Sequence, residues 1–139
     1  MSEEQRVHWA NARFYAAMSA LDVNAMDRVW LDDGRAVCVH PGREAIIGYA
    51  AIRESWLMIF SATSSMTVVA SDEQVTIAGE MAWVACVETI SLLMEGELVA
   101  ASAQATNIYR LVGAEWRMIL HHASPVPFRT MDEWPDMIN

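Results

Sequence analysis

The chain has no lysine: all nine of its basic residues are arginine, set against eighteen acidic ones. Without a lysine amine it forms no Schiff base through one, which removes that class of carbonyl chemistry. The net charge of −9 makes nucleic acid and anionic membranes unfavourable partners. Cysteine is almost as scarce. Cys38 and Cys86 sit in the apolar runs Ala36–Val39 and Val84–Val87, where a thiol behaves as a small hydrophobe rather than half of a disulfide framework or a metal pair. There is no glycine-rich phosphate loop, and Ser124 beside His122 lacks the strand–turn–helix elbow of a nucleophile. No apolar run approaches the ~20 residues of a spanning helix. The opening Met1-Ser2-Glu3-Glu4 carries acid where a secretory signal carries base and an apolar stretch. The expectation is a cytoplasmic protein that works without metal or cofactor.

What is present is apolar surface. Of 139 residues 54% are hydrophobic and 19% charged, enough to bury one core, and the whole chain, 1–139, is expected to form one domain. Ser2 and Gln5 have capping-box spacing and open a helix to about Ala20, with Val7, Ala10, Phe14, Met18 and Leu21 as its buried stripe. A short second helix carries Met26, Val29 and Trp30, and Asp33-Gly34 is expected to stop it. Ala36–His40 reads as a brief strand ended by Pro41-Gly42, and after Gly48 a third helix runs over Tyr49–Phe60 with Ile52, Trp56, Ile59 and Phe60 on one face.

From Met66 the pattern turns to strand: 66–78, 81–94, 98–111 and 115–123, joined by short glycine-containing links. Such links make an antiparallel meander, with a bend or bulge near Ser71-Asp72. Helices followed by hairpin-linked strands argue for α+β architecture, with the helices on one face of the sheet. Both faces of 81–94 are largely apolar: Ala82, Val84, Cys86, Glu88 and Ile90 on one, Trp83, Ala85, Val87 and Thr89 on the other. The helices cover one face, and a second copy of the chain is the simplest cover for the other, so a homodimer through the sheet is expected. The tail, 125–139, is irregular but carries Phe128 and Trp134.

Phe14-Tyr15, Asp22, Met26–Trp30, Val39-His40-Pro41-Gly42, Gly48, Ile52 and Ser55-Trp56, and above all Ala105–Arg110 with Trp116–Pro125, form a familiar constellation. On these residues the chain resembles the SnoaL-like, ketosteroid isomerase-like branch of the nuclear transport factor 2-like superfamily. Its last hairpin also resembles the association domain of the calcium/calmodulin-dependent kinases. The resemblance implies a cone-shaped fold whose N-terminal helices pack on a curved antiparallel sheet and enclose a pocket. It implies no single activity, because the superfamily holds isomerases, dehydratases, epoxide hydrolases and cyclases beside non-catalytic domains. Where the association domain carries pocket arginines, the match places Glu88, Asn107 and Ala123, so a cationic pocket for carboxylates is not expected.

Glu88 and His121 are the candidate catalytic pair. Glu88 stands mid-strand among apolar residues, where burial raises a carboxyl's pKa toward acid/base use; the alternative is an exposed carboxylate or one paired with an arginine. His121 and His122 are adjacent on a strand and face opposite sides. The resemblance turns Asn107, Tyr109 and His121 toward the cavity and leaves His122 on the dimer face. His121 can then act as base, acid or hydrogen-bond donor. His40 either reaches the cavity mouth or caps its turn. Tyr15, Trp56 and Phe60 supply an aromatic wall, and Asn107 and Tyr109 complete the expected ligand-binding set. Two readings follow: an acid/base enzyme (isomerase, dehydratase or cyclase type) on a small apolar carbonyl compound, or a non-catalytic ligand-binding or assembly domain.

Overall fold

Three helices lie along the concave side of a six-stranded, unclosed sheet. The structure, a computed structural model, describes residues 1–127, so Phe128 and Trp134 of the expected tail lie outside it. In chain order the elements are α1 (Glu3–Ser19), α2 (Val23–Val29), β1 (Val37–Val39), β2 (Ile46–Ile47), α3 (Tyr49–Ser61), β3 (Ser65–Ala78), β4 (Met81–Met94), β5 (Glu97–Val112) and β6 (Glu115–Pro125). The sheet order is β2-β1-β6-β5-β4-β3. The α+β cone expected from the sequence, N-terminal helices packed on a curved sheet, is the architecture observed.

Local chemistry sets the helix starts. The Ser2–Gln5 capping box opens α1 reciprocally, and Asp22 caps α2 by accepting from Asn24 and Ala25 N–H. Helix α2 ends earlier than expected. Trp30 is extended and bridges to Met118 of β6, so sheet pairing ends the helix before Asp33-Gly34 can. Gly48, at φ 90°, turns the chain into α3 in a conformation that side-chain-bearing residues rarely adopt. Tyr49 and Arg53 of α3 both donate to Asp27 of α2, at 2.6 and 2.9 Å, which sets the two helices against each other.

The long strands follow the expected meander, each link a two-residue turn. Two features depart from it. Strand β2 has no counterpart in the expected elements, and β1 pairs with β6 in parallel, so the sheet is mixed at that edge rather than wholly antiparallel. The bulge near Ser71-Asp72 is present: the β3–β4 register shifts between Ser71 and Gln74, with Asp72 at φ 53°. That extra length turns Glu73 toward α1, where its Oε2 meets Asn11 and His8. At the far end Pro125 closes β6, and Val126 N–H donates to Ser102 O, so the tail's first residues stay on the sheet.

Candidate active site

The concave sheet face and the helices enclose a cavity of about 420 Å³. Its long wall is β4, where period-two alternation sends Glu88, Ile90, Leu92 and Met94 inward in succession, from buried floor to half-buried mouth. Met18 of α1, Met66 of β3 and Trp56, Ile59 and Thr63 of α3 and its C-terminal turn face that wall. Pro41, Arg43 and Met58 stand exposed at the rim. Most of the lining is apolar; Glu88 and His121 lie at the floor, and Arg43 stands at the rim. Room there comes from small neighbours: Glu88 pairs with Ala70 on one side and Ala103 on the other.

Glu88 and His121 are each 1% exposed, and His121 Nε2 lies 4.0 Å from Glu88 Oε2. Burial pushes the Glu88 carboxyl up to about 7, against a smaller opposing pull from the hydrogen bond that Tyr15 donates at 2.6 Å. The Tyr15 hydroxyl is driven well above its ordinary value, by burial first and the Glu88 charge second. Among the described residues no arginine pairs with Glu88. His121 packs against Phe14 at 4.7 Å between ring centroids; burial, then the nearby His40 and His122, pull its pKa down to about 3. His40 is pulled to about 4 by burial and then by Arg43. Both rings are therefore neutral at physiological pH.

A buried amide chain decides which nitrogen of His121 carries the proton. Asn11 Nδ2 donates to the Glu73 carboxylate at 3.0 Å, so Asn11 Oδ1 faces inward and accepts from Tyr109 at 2.7 Å and Asn107 Nδ2 at 2.9 Å. Asn107 Nδ2 also donates to the Tyr15 hydroxyl at 3.0 Å, which in turn donates a hydrogen bond to Glu88. Asn107 thus turns its oxygen to His121 Nδ1 at 2.6 Å. An oxygen only accepts, so Nδ1 bears the hydrogen and Nε2, on the Glu88 side, is bare. His40 has the opposite tautomer. Ser55 Oγ donates its hydrogen bond to Ile52 O at 2.6 Å, so His40 Nε2–H must donate to Ser55 Oγ at 2.9 Å.

Of the residues singled out from the sequence, Glu88, His121, His40 and Trp56 line the cavity. Tyr15, Asn107, Tyr109 and Phe60 do not. Tyr15 and Asn107 stand behind the floor, their polar atoms spent on Glu88 and His121. Tyr109 is wholly buried two residues farther from the mouth, bonded to Asn11, and Phe60 packs on Trp56 at 5.5 Å. His122 faces outward, exposed. Asn11 and Glu73 escaped the sequence reading. Asn11 had a signal, as a polar residue on the apolar stripe of α1, four positions from Val7 and from Tyr15.

A model of the SnoaL-like domain matches residues 7–129. A candidate dehydratase of the nuclear transport factor 2-like family from Streptomyces avermitilis is 32% identical, with a TM-score of 0.85 over 91% of this chain and 97% of that one. A candidate calcium/calmodulin-dependent protein kinase type II association domain from Thiobacillus denitrificans is 31% identical, with a TM-score of 0.69 over 85% and 93%. The F-box protein SKIP8 of Arabidopsis thaliana is 25% identical over 114 residues, 82% of this chain; the chain spans about half, 47%, of that relative's length.

Proposed function

This chain belongs to the SnoaL-like domain family of the nuclear transport factor 2-like superfamily, and on that premise we propose that its cavity turns over a small apolar carbonyl compound by acid/base catalysis without a cofactor. The observation that supports this most is Glu88: a desolvated carboxyl without an arginine, titrating near neutrality on the floor of an apolar cavity. In that medium the carboxylate is a competent base for a C–H proton next to a carbonyl. Returned to another carbon, the proton completes an isomerisation; delivered to a departing hydroxyl, it completes a dehydration, the reaction type of the Streptomyces relative's description. His121 accepts a hydrogen bond beside the reacting carbon, and Tyr15 holds the Glu88 carboxylate in place.

Deuterium exchange tests this without knowledge of the natural substrate. Apolar carbonyl compounds that raise the protein's melting temperature are incubated with it in D₂O, and their α-proton signals followed by NMR. Wild type is expected to speed the loss of those signals above buffer; Glu88→Gln, folded and still binding, is expected to leave it at the buffer rate. Binding without exchange would make this a non-catalytic ligand-binding domain. No binding by any compound would end the small-molecule reading.

We also infer that the outer sheet face pairs with a second copy. Val69, Met81, Trp83 and Leu98 stand on that face with 56%, 38%, 39% and 78% exposure, apolar groups spread along its length that a partner sheet would cover. Wild type is expected to sediment as a dimer and Trp83→Glu as a monomer. A monomeric wild type at micromolar concentration would rule the pairing out.

A further inference from the structure

At the cavity floor, away from Arg43 at the rim, the side-chain hydrogens can be accounted for one by one. The Tyr15 hydroxyl donates to Glu88, and the Asn107 amide donates through both hydrogens, to Asn11 and Tyr15. His40 Nε2–H goes to Ser55, and the Thr63 hydroxyl donates to Ile59 O at 2.7 Å. The Trp56 indole N–H has no partner, but its nitrogen is shielded from the cavity space. What remains at the floor is acceptors: the Glu88 carboxylate and the bare Nε2 of His121. The direction is held from both ends. Reversing the Asn11 amide would set its oxygen against the Glu73 carboxylate, and reversing Asn107 would set its oxygen against a Tyr15 hydroxyl whose proton is committed to Glu88.

We propose that this floor selects ligands that donate a hydrogen bond (an alcohol, a phenol or an N–H group on an apolar frame), because the Asn11–Asn107 relay keeps His121 Nε2 bare beside Glu88. Frames whose only polar atom is an ether or ketone oxygen are disfavoured, since two buried acceptors would then face a third. The inference rests on the cavity being the binding site and narrows the proposed substrate: the carbonyl compound carries a hydroxyl, and the hydroxyl docks at the floor. Asn11 and Asn107 are positioning residues, acting on the ligand only through the ring they orient.

Two probes on one ring frame, 2-naphthol and its methyl ether 2-methoxynaphthalene, separate the outcomes by calorimetry at pH 8, where Glu88 is ionised. NOEs to the Met18 and Met66 methyl groups place each probe. The naphthol is expected to bind about tenfold more tightly, or better, than the ether. Glu88→Gln, which brings an amide donor to the floor, is expected to shrink that ratio by weakening the naphthol and improving the ether. In the free protein, ¹⁵N NMR of His121 is expected to show a protonated Nδ1 and a bare Nε2. Equal affinities in wild type, or a proton on Nε2, would overturn the selection and leave the cavity reading intact. Binding of neither probe would overturn both.

Discussion

Between pH 4.5 and pH 8 the Glu88→Gln variant is expected to gain roughly 3 kcal/mol of stability on wild type. The sign follows from where the proton sits. The folded carboxyl titrates at about 7 and its unfolded counterpart at 4.5, so between those values the folded state holds a proton that the unfolded state has released. Stability from that group is fully present below 4.5 and is lost as pH rises through 7. At about 1.4 kcal/mol per pH unit, the gap amounts to roughly 3 kcal/mol. Glutamine copies the protonated form at all pH values: its carbonyl can accept from Tyr15 and it never ionises. The other titratable groups near Glu88 are Tyr15, Cys38, Cys86, His40 and His121, with Arg43 at the rim. Tyr15 and both thiols are raised by burial and stay protonated across this range. His40 and His121 stay neutral in the folded state, and their unfolded protonation below 6.5 enters both proteins equally and cancels. Urea unfolding at intervals across the range measures the difference directly. Parallel curves for the two proteins would mean that Glu88 is solvated and that its place in the acid/base reading is wrong.

A residue that lowers stability at neutral pH at the floor of an apolar cavity is the kind of local inconsistency that accompanies function. A leucine there would pack without any cost of ionisation. The same comparison therefore bears on the assembly reading, in which the cavity has no guest and the carboxylate has no use.

The local parts of this fold were legible in the sequence because short-range chemistry sets them. Ser2 with Gln5 and the glycine links between strands each act within a few residues, and helix starts and hairpins stand where those signals put them; the bulge near Ser71-Asp72 was legible from the length of 66–78, long for one strand. Pairings that depend on distant chain were not legible. Strand β2 has two residues, too few for any periodicity, and the parallel β1–β6 ladder joins positions some 80 residues apart. The same limit applied to the site. Alternation along β4 was enough to put Glu88 on one face with Cys86 and Ile90, but nothing along the chain says that Asn11 meets Asn107 across 96 positions. Tyr109 and Asn107 could be assigned to the inner face, yet which inner-face residue lines open space depends on what α1 sends to meet it. Asn11 takes up Tyr109, and Tyr15 takes up Glu88, so the cavity begins only beyond them.

Replacing Asn107 by leucine is expected to cost about 2–4 kcal/mol and lower the melting temperature by roughly 10 °C. Leucine fills nearly the same volume, so the loss comes from hydrogen bonds rather than from a cavity. Asn107 makes three: it donates to Asn11 and Tyr15 and accepts from His121. Asn11 Oδ1 keeps Tyr109, and Tyr15 keeps Glu88, so those two losses are each about 1 kcal/mol. His121 Nδ1 keeps nothing in a site that is 1% exposed, and an orphaned buried donor costs about 1–3 kcal/mol. The extra apolar burial of leucine offsets part of the total. His121 has one escape, which is to move its proton to Nε2 and donate toward Glu88. That tautomer supports the carboxylate, so the pKa of Glu88 should fall in the variant and the slope of stability with pH above 4.5 should flatten. Ala51→Leu, at an exposed position of α3 away from the sheet, is the control and is expected to stay within about 0.5 kcal/mol of wild type. If Asn107→Leu melts with that control and His121 keeps its proton on Nδ1, then Asn107 orients nothing, and the preference for donating ligands loses its cause.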